Sequence, residues 1–154
     1  MKKLLLVLVL LLVSTSVFAQ TQYRTEAKFV CGKPDSPEID AWAFAPGYYY
    51  TSINVTNPND QGTVDGRKRF SVGLLGQKVG PFTAWVNWAL RPGETMQVDC
   101  GDIYAHLGIP PGTFIDGFVQ FQSPQRYAVT GVYTVTDGSR IVSRDVEAKR
   151  VRQQ

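Results

Sequence analysis

Short runs of β-branched and aromatic residues, each closed by a cluster of Gly, Pro, Asn or Asp, recur along this chain from Glu26 to Arg150. Runs of this length are too short for ordinary helices but match the strands of an antiparallel sandwich or barrel. The expected strands are Glu26 to Cys31, Tyr48 to Asn54, Arg69 to Leu75, Thr83 to Leu90, Thr95 to Asp99, Gly117 to Gln122, Tyr127 to Thr136 and Ile141 to Arg150. The fold class is therefore all-β, an antiparallel two-sheet sandwich of about eight strands with one short helix.

The turns between these runs have their own chemistry. Asn57-Pro58-Asn59-Asp60 joins a residue with fixed φ to side chains that bond back to the local backbone. In Arg91-Pro92-Gly93-Glu94, Pro stands second and Gly third, which suits a type II turn between paired strands. Ser123-Pro124-Gln125-Arg126 separates two further strands. Asp137-Gly138 is the best short hairpin signal, setting Tyr127 to Thr136 beside Ile141 to Arg150. One segment breaks the pattern: Asp102 to Leu107 lacks alternation and stops at Gly108, which predicts a short helix capped by Asp99 or Gly101. Lys33 to Ala45 carries Pro34 and Pro37 and reads as an irregular surface loop.

The amino terminus reads as a signal peptide over residues 1–19. Lys2 and Lys3 precede an apolar run from Leu4 to Val13, shorter than the roughly 20 residues a spanning helix needs, and Val17-Phe18-Ala19 suits a signal peptidase. The remainder, residues 20–154, is expected to form one domain, exported to the periplasm or secreted, with no stable membrane insertion after cleavage. Of 16 basic side chains the signal takes Lys2 and Lys3, leaving 14 against 13 acidic ones. So small a balance calls for no nucleic acid partner. Cys31 and Cys100 are the only cysteines, and in an exported chain they are expected to pair, because two thiols and one histidine fall short of the usual zinc site.

Four stretches taken together resemble a group of small exported bacterial proteins of uncharacterised function. They are Ala27 to Gly32, Thr51 to Pro58, Leu90 to Glu94 leading to Val98-Asp99-Cys100, and Gly117-Phe118-Val119 through Tyr133-Thr134-Val135. The order of these elements is more distantly similar to the sensory rhodopsin transducer family. This chain departs from that family in its signal peptide and cysteine pair. The resemblance implies a β-sandwich that binds partners and carries over no functional residue.

No catalytic constellation stands out. His106, the single histidine, lies four residues after Asp102 on one helical face, a spacing that permits a base and its orienting group. The same placement is what capping and the helix dipole favour without catalysis. Asp99, Asp102 and Asp116 are the carboxylates a glycosidase pair would draw on, and the first two also suit capping. No P-loop, G-x-S-x-G, H-E-x-x-H or calcium-loop run is present, so no catalytic residue, metal or cofactor is assigned. Arg67-Lys68-Arg69 is a basic cluster able to touch an anionic polymer or to discourage strand pairing at a solvated edge.

The aromatic residues carry the functional reading. Strand parity turns Tyr49, Thr51, Ile53 and Val55 inward and Tyr48, Tyr50, Ser52 and Asn54 outward. It likewise turns Ala84, Val86, Trp88 and Leu90 inward and Trp85 and Asn87 outward. Exposed Tyr and Trp bury much area at little entropic cost, so Tyr48, Tyr50, Trp85 and Asn87 form the candidate ligand-binding set for a protein or glycan partner. The alternative is a structural protein of the cell envelope whose aromatic face makes a homo-oligomer; a hydrolase built on His106 is third. The exported protein is expected to begin at Gln20, which amino-terminal sequencing reads directly; a product starting at Met1 overturns the signal-peptide reading.

Overall fold

The computed structural model describes residues 22–34, 44, 46–74 and 78–136, with the backbone of 141–147 and 150–152. The expected signal peptide, most of the Lys33 to Ala45 segment and the Asp137-Gly138 turn lie outside the described residues. The strands are β1 (Tyr23–Cys31), β2 (Tyr48–Thr56), β3 (Val64–Leu74), β4 (Lys78–Phe82), β5 (Val86–Leu90), β6 (Thr95–Asp99), β7 (Ile115–Ser123), β8 (Ala128–Thr136), β9 (Ile141–Glu147) and β10 (Arg150–Arg152), with one helix, α1 (Cys100–Leu107). Each of the eight expected strands has a counterpart and the short β4 and β10 join them, but the expected Ile141 to Arg150 strand is cut short: β9 ends at Glu147, and Arg150 opens β10, which pairs with β1 of the other sheet. Six strands form one antiparallel sheet in the order β10-β1-β7-β3-β4, with β5 also beside β3; the other sheet runs β6-β2-β8-β9.

Alternation builds the core between the sheets. Along β2, Thr51, Ile53 and Val55 are buried while Tyr48 and Tyr50 face out. Phe29 of β1, Phe70 of β3, Val119 and Phe121 of β7 and Val98 of β6 are fully buried against them. Burying each such ring or branched chain stabilises the fold by about 1.5–3 kcal/mol. The Thr83 to Leu90 reading needs correction: the strand starts at Val86, and Ala84 and Val86 are exposed. Thr83 is the cause. Its backbone N–H donates to Phe70 O at 2.9 Å and its Oγ1 accepts from Phe70 N–H at 3.1 Å, while its hydroxyl donates to Ala84 O at 3.0 Å. With its side chain taking up ladder bonds, the chain breaks between β4 and β5 and the alternation restarts.

The two sheets are tied at β1. Cys31, ending β1, is bonded to Cys100, which opens α1 directly after β6. Closing a loop of that span stabilises the fold by roughly 4 kcal/mol in the chain-entropy model. One residue before the disulfide, Thr51 Oγ1 of β2 donates to Val30 O and accepts from Val30 N–H, both at 2.9 Å. Tyr133 of β8 donates its phenol to Lys28 O. One residue beyond, Gly32 and Tyr49 exchange backbone bonds at 3.0 and 2.9 Å. Gly32 has φ +84°, and a Cβ there would stand 2.4 Å from Thr113 O, so only glycine fits.

The turns hold as their residues suggest. Asn57 is fully buried, with Nδ2 donating to Gly62 O and Leu90 O at 3.0 Å each and Oδ1 accepting from Asn59 N–H at 3.0 Å. In the β5–β6 turn Gly93 has φ +75° and Glu94 N–H reaches Arg91 O at 3.0 Å, as a type II turn requires. Asp99 caps α1: its carboxylate accepts from Asp102 N–H, and the Asp102 carboxylate accepts from Asp99 N–H, each at 3.1 Å.

Thr51→Val keeps the shape of the side chain and strands two buried backbone groups of Val30, at a cost of about 2–4 kcal/mol. Thr51→Ser keeps the hydroxyl and should cost under about 1.5 kcal/mol. Urea midpoints of the two variants check this, and equal losses would mean that the hydroxyl does not carry the effect.

Candidate functional site

The outward side chains of β2 form one wall of a cleft. Tyr50 stands opposite Thr134 of β8, and Ser52 lies between Val132 of β8 and Asp99 of β6. α1 begins immediately after Asp99 and brings Tyr104 to the cleft, whose lining is completed by Pro111 and Gly112. The resulting cleft has a volume of about 590 Å³ and a largely apolar lining that includes Tyr48, Tyr50 and Tyr104. Tyr48 is 47% exposed and Tyr50 54%, whereas Tyr104 is buried. Tyr104 donates its phenol to Thr113 O at 2.9 Å. Burial, with Tyr50 adding a smaller push, raises its pKa above the usual phenol value against an opposing backbone hydrogen bond at Gly112. It thus stays a neutral donor. The Lys33 ammonium sits 5.4 Å from the centre of the Tyr48 ring. Flat rings with hydroxyl and backbone groups at their edges can stack on and hydrogen-bond to a ligand. Among the described residues no group of three or more His, Cys, Asp or Glu is placed to hold a metal ion.

The four residues picked from the sequence are not brought together. Tyr48 and Tyr50 share the cleft on the four-stranded sheet. Asn87 belongs to the other sheet, and Trp85, in the connection just before β5, lies beneath the guanidinium groups of Arg67 and Arg69 on that sheet at 4.7 and 4.6 Å. Asn87, opposite Arg67, lines a separate open groove of about 620 Å³ with Trp88 and Ser123. The reason is topological: β2 and β5 pair with strands of different sheets, so their outward side chains point in opposite directions. Sequence reasoning turned Ser52 to the same face as Tyr48 and Tyr50 but left it out of the candidate set, and it missed Tyr104 and Thr134. For Tyr104 a signal existed, since it sits in a short helix that starts at a half-cystine.

The other candidates take structural positions. His106 Nδ1 is 2.8 Å from the backbone oxygen of Asp102, and its ring lies 4.8 Å from that of Phe70. The Asp102 carboxylate is engaged in the helix cap and does not orient the imidazole. Asp116 pairs with Lys28 at 2.7 Å on the six-stranded sheet.

No protein-family model matches the sequence, and no curated protein matches it. The crystal structure of Thermotoga maritima 1070 is similar to this chain with a TM-score of 0.49 and 11% identity, over 84% of this chain and 92% of that one. The reading of the site therefore rests on its own side chains.

The basic cluster splits by parity: Arg67 and Arg69 point outward, while Lys68 points into the core at 9% exposure, its Nζ 3.4 Å from Met96 Sδ. Burial lowers the Lys68 pKa, and the charge of Asp102 opposes this only in part. A lysine depressed in the folded state binds its proton less readily there than in the unfolded chain. The resulting cost is therefore present at neutral pH and fades as pH rises through the folded value toward the ordinary lysine range. Lys68→Met, which keeps the stem and removes the charge, should raise the urea midpoint at pH 7, with the gain shrinking by about pH 10.5. A gain independent of pH would assign the effect to packing.

Proposed function

We propose that the chain is an exported, noncatalytic binding module and that the cleft between β2, β8 and α1 takes a saccharide. The observation that carries this reading is the grouping of Tyr48, Tyr50 and Tyr104 in a single cleft of about 590 Å³ edged by Ser52 and Thr134. Sugar rings present apolar faces that stack on aromatic rings and hydroxyl rims that need donors and acceptors. Export is supported by the Cys31–Cys100 bond, which persists in oxidising compartments, and among the described residues no helix is long and apolar enough to cross a membrane.

A second reading has its own observation. Leu74, Val79 and Phe82 on β3 and β4 are exposed, Val79 by 94%, and an apolar sheet margin of this kind suits a homo-oligomer contact. Sedimentation over a wide concentration range addresses it: a monomer throughout counts against this reading.

For the cleft, screening of the purified protein against immobilised glycans should find a ligand whose affinity falls about ten-fold or more in Tyr50→Ser, as expected for loss of one stacking ring. Tyr50→Phe should retain most of the binding. Unchanged glycan binding in a folded Tyr48→Ser, Tyr50→Ser variant overturns the assignment of the site, and capture of a protein with no glycan bound overturns the ligand class.

A further inference from the structure

On the outer face of the six-stranded sheet, facing away from the tyrosine cleft, register sets side chains in two rungs. Arg24, Gln122 and Arg67 lie directly opposite one another across β1, β7 and β3, and Glu26, Gln120 and Arg69 form the next rung. The glutamines of the middle strand hold the outer arginines: Arg67 Nε donates to Gln122 Oε1 at 2.9 Å and Arg69 Nε to Gln120 Oε1 at 2.6 Å. Trp85 underlies both guanidinium groups. Each is thereby fixed at one edge by a neutral amide and at one face by a ring. These contacts orient the charge without neutralising it.

Together with Arg24 these two arginines line a cavity of about 200 Å³. Among the described residues none of the three forms an ion pair, and the Nε of Arg24 is buried with no acceptor. Glu26, the carboxylate in the lining, has Oε1 taken by Gln120 Nε2 at 2.8 Å. Three guanidiniums against one carboxylate leave the cavity two charges positive. Guanidinium groups gathered around one cavity without a matching counter-charge favour an anion there.

We propose that this cavity is a binding site for the oxyanion of a small acidic ligand: a carboxylate, sulfate ester or phosphate monoester. These groups share the arrangement of oxygens that guanidinium forks match in paired hydrogen bonds. Arg24 lines the site from β1, Arg67 and Arg69 line it from β3, and Trp85 packs against both of the latter. The site is separate from the tyrosine cleft and stands whether or not that cleft takes a saccharide.

The test uses one hexose in four forms: glucuronate, glucose 6-sulfate, glucose 6-phosphate and uncharged glucose. Each is titrated into the purified protein while the indole N–H signal of Trp85 is followed by NMR, assigned by its loss in Trp85→Phe. At least one charged form should shift that signal and bind at least about ten-fold more tightly than glucose, with affinity falling as salt is raised. The form that binds best names the anion. Arg67→Gln, at an exposed position, and Arg24→Gln, each checked for native near-ultraviolet dichroism, should lower the affinity about ten-fold or more, while Tyr50→Ser leaves it unchanged. Equal binding of all four forms, or charged-ligand binding lost in Tyr50→Ser but kept in both arginine variants, overturns the proposal.

Discussion

One margin of β1 is covered by β10 only at Tyr23, Arg24 and Thr25, and the way the rest of that margin is finished sets how the two sheets meet. Every second residue turns its peptide groups toward it, and at three of them these groups are met from the opposite sheet: Lys28 O by the Tyr133 phenol, Val30 by the Thr51 hydroxyl and Gly32 by the backbone of Tyr49. A buried strand edge without partners is among the costlier defects a sandwich can carry. Here the edge passes from strand to side chain to backbone, and the disulfide lies between the last two steps. Sliding one sheet over the other by one residue would unpair this whole series, so the hydroxyls specify alignment as well as contributing stability.

That alignment places the two candidate sites. Tyr48 and Tyr50 precede Thr51 and flank Tyr49, so the residues that pair with β1 through their inward groups present the cleft on their outward ones. On β1 the same parity turns Arg24, Glu26 and Lys28 to the opposite surface, beside Gln120 and Gln122 of β7. The domain therefore has two chemically distinct faces: one of tyrosine and hydroxyl, one of arginine and amide. They are separated by a core whose largest fully buried side chains are Phe29, Phe70 and Phe121.

Much of this architecture was legible because its determinants are local. Strand parity in Tyr48 to Val55, the Pro-Gly turn at Arg91 to Glu94 and the capped helix after Asp99 each depend on a few neighbouring residues, and each is found. The disulfide was legible from compartment and count. What escaped was non-local. Whether Trp85 lies near Tyr48 depends on which sheet each strand joins, and no periodicity encodes that. The break at Thr83 depends on a hydroxyl meeting Phe70, thirteen residues earlier. The division of Arg67-Lys68-Arg69 follows from simple alternation, yet turning a lysine inward runs against its preference for water. Only the contact of its ammonium with Met96 Sδ and the nearby charge of Asp102 make that arrangement intelligible.

Cys100 is both the first residue of α1 and part of the lining of the tyrosine cleft, as is Gly32, the neighbour of Cys31. The helix that carries Tyr104 toward Tyr50 is thus anchored by a covalent bond that forms only when electrons are withdrawn from the two thiols. A newly synthesised chain in a reducing compartment has every side chain of the cleft but lacks the tie that sets one wall against the other. The shape of this surface is therefore tied to the redox state of the two thiols.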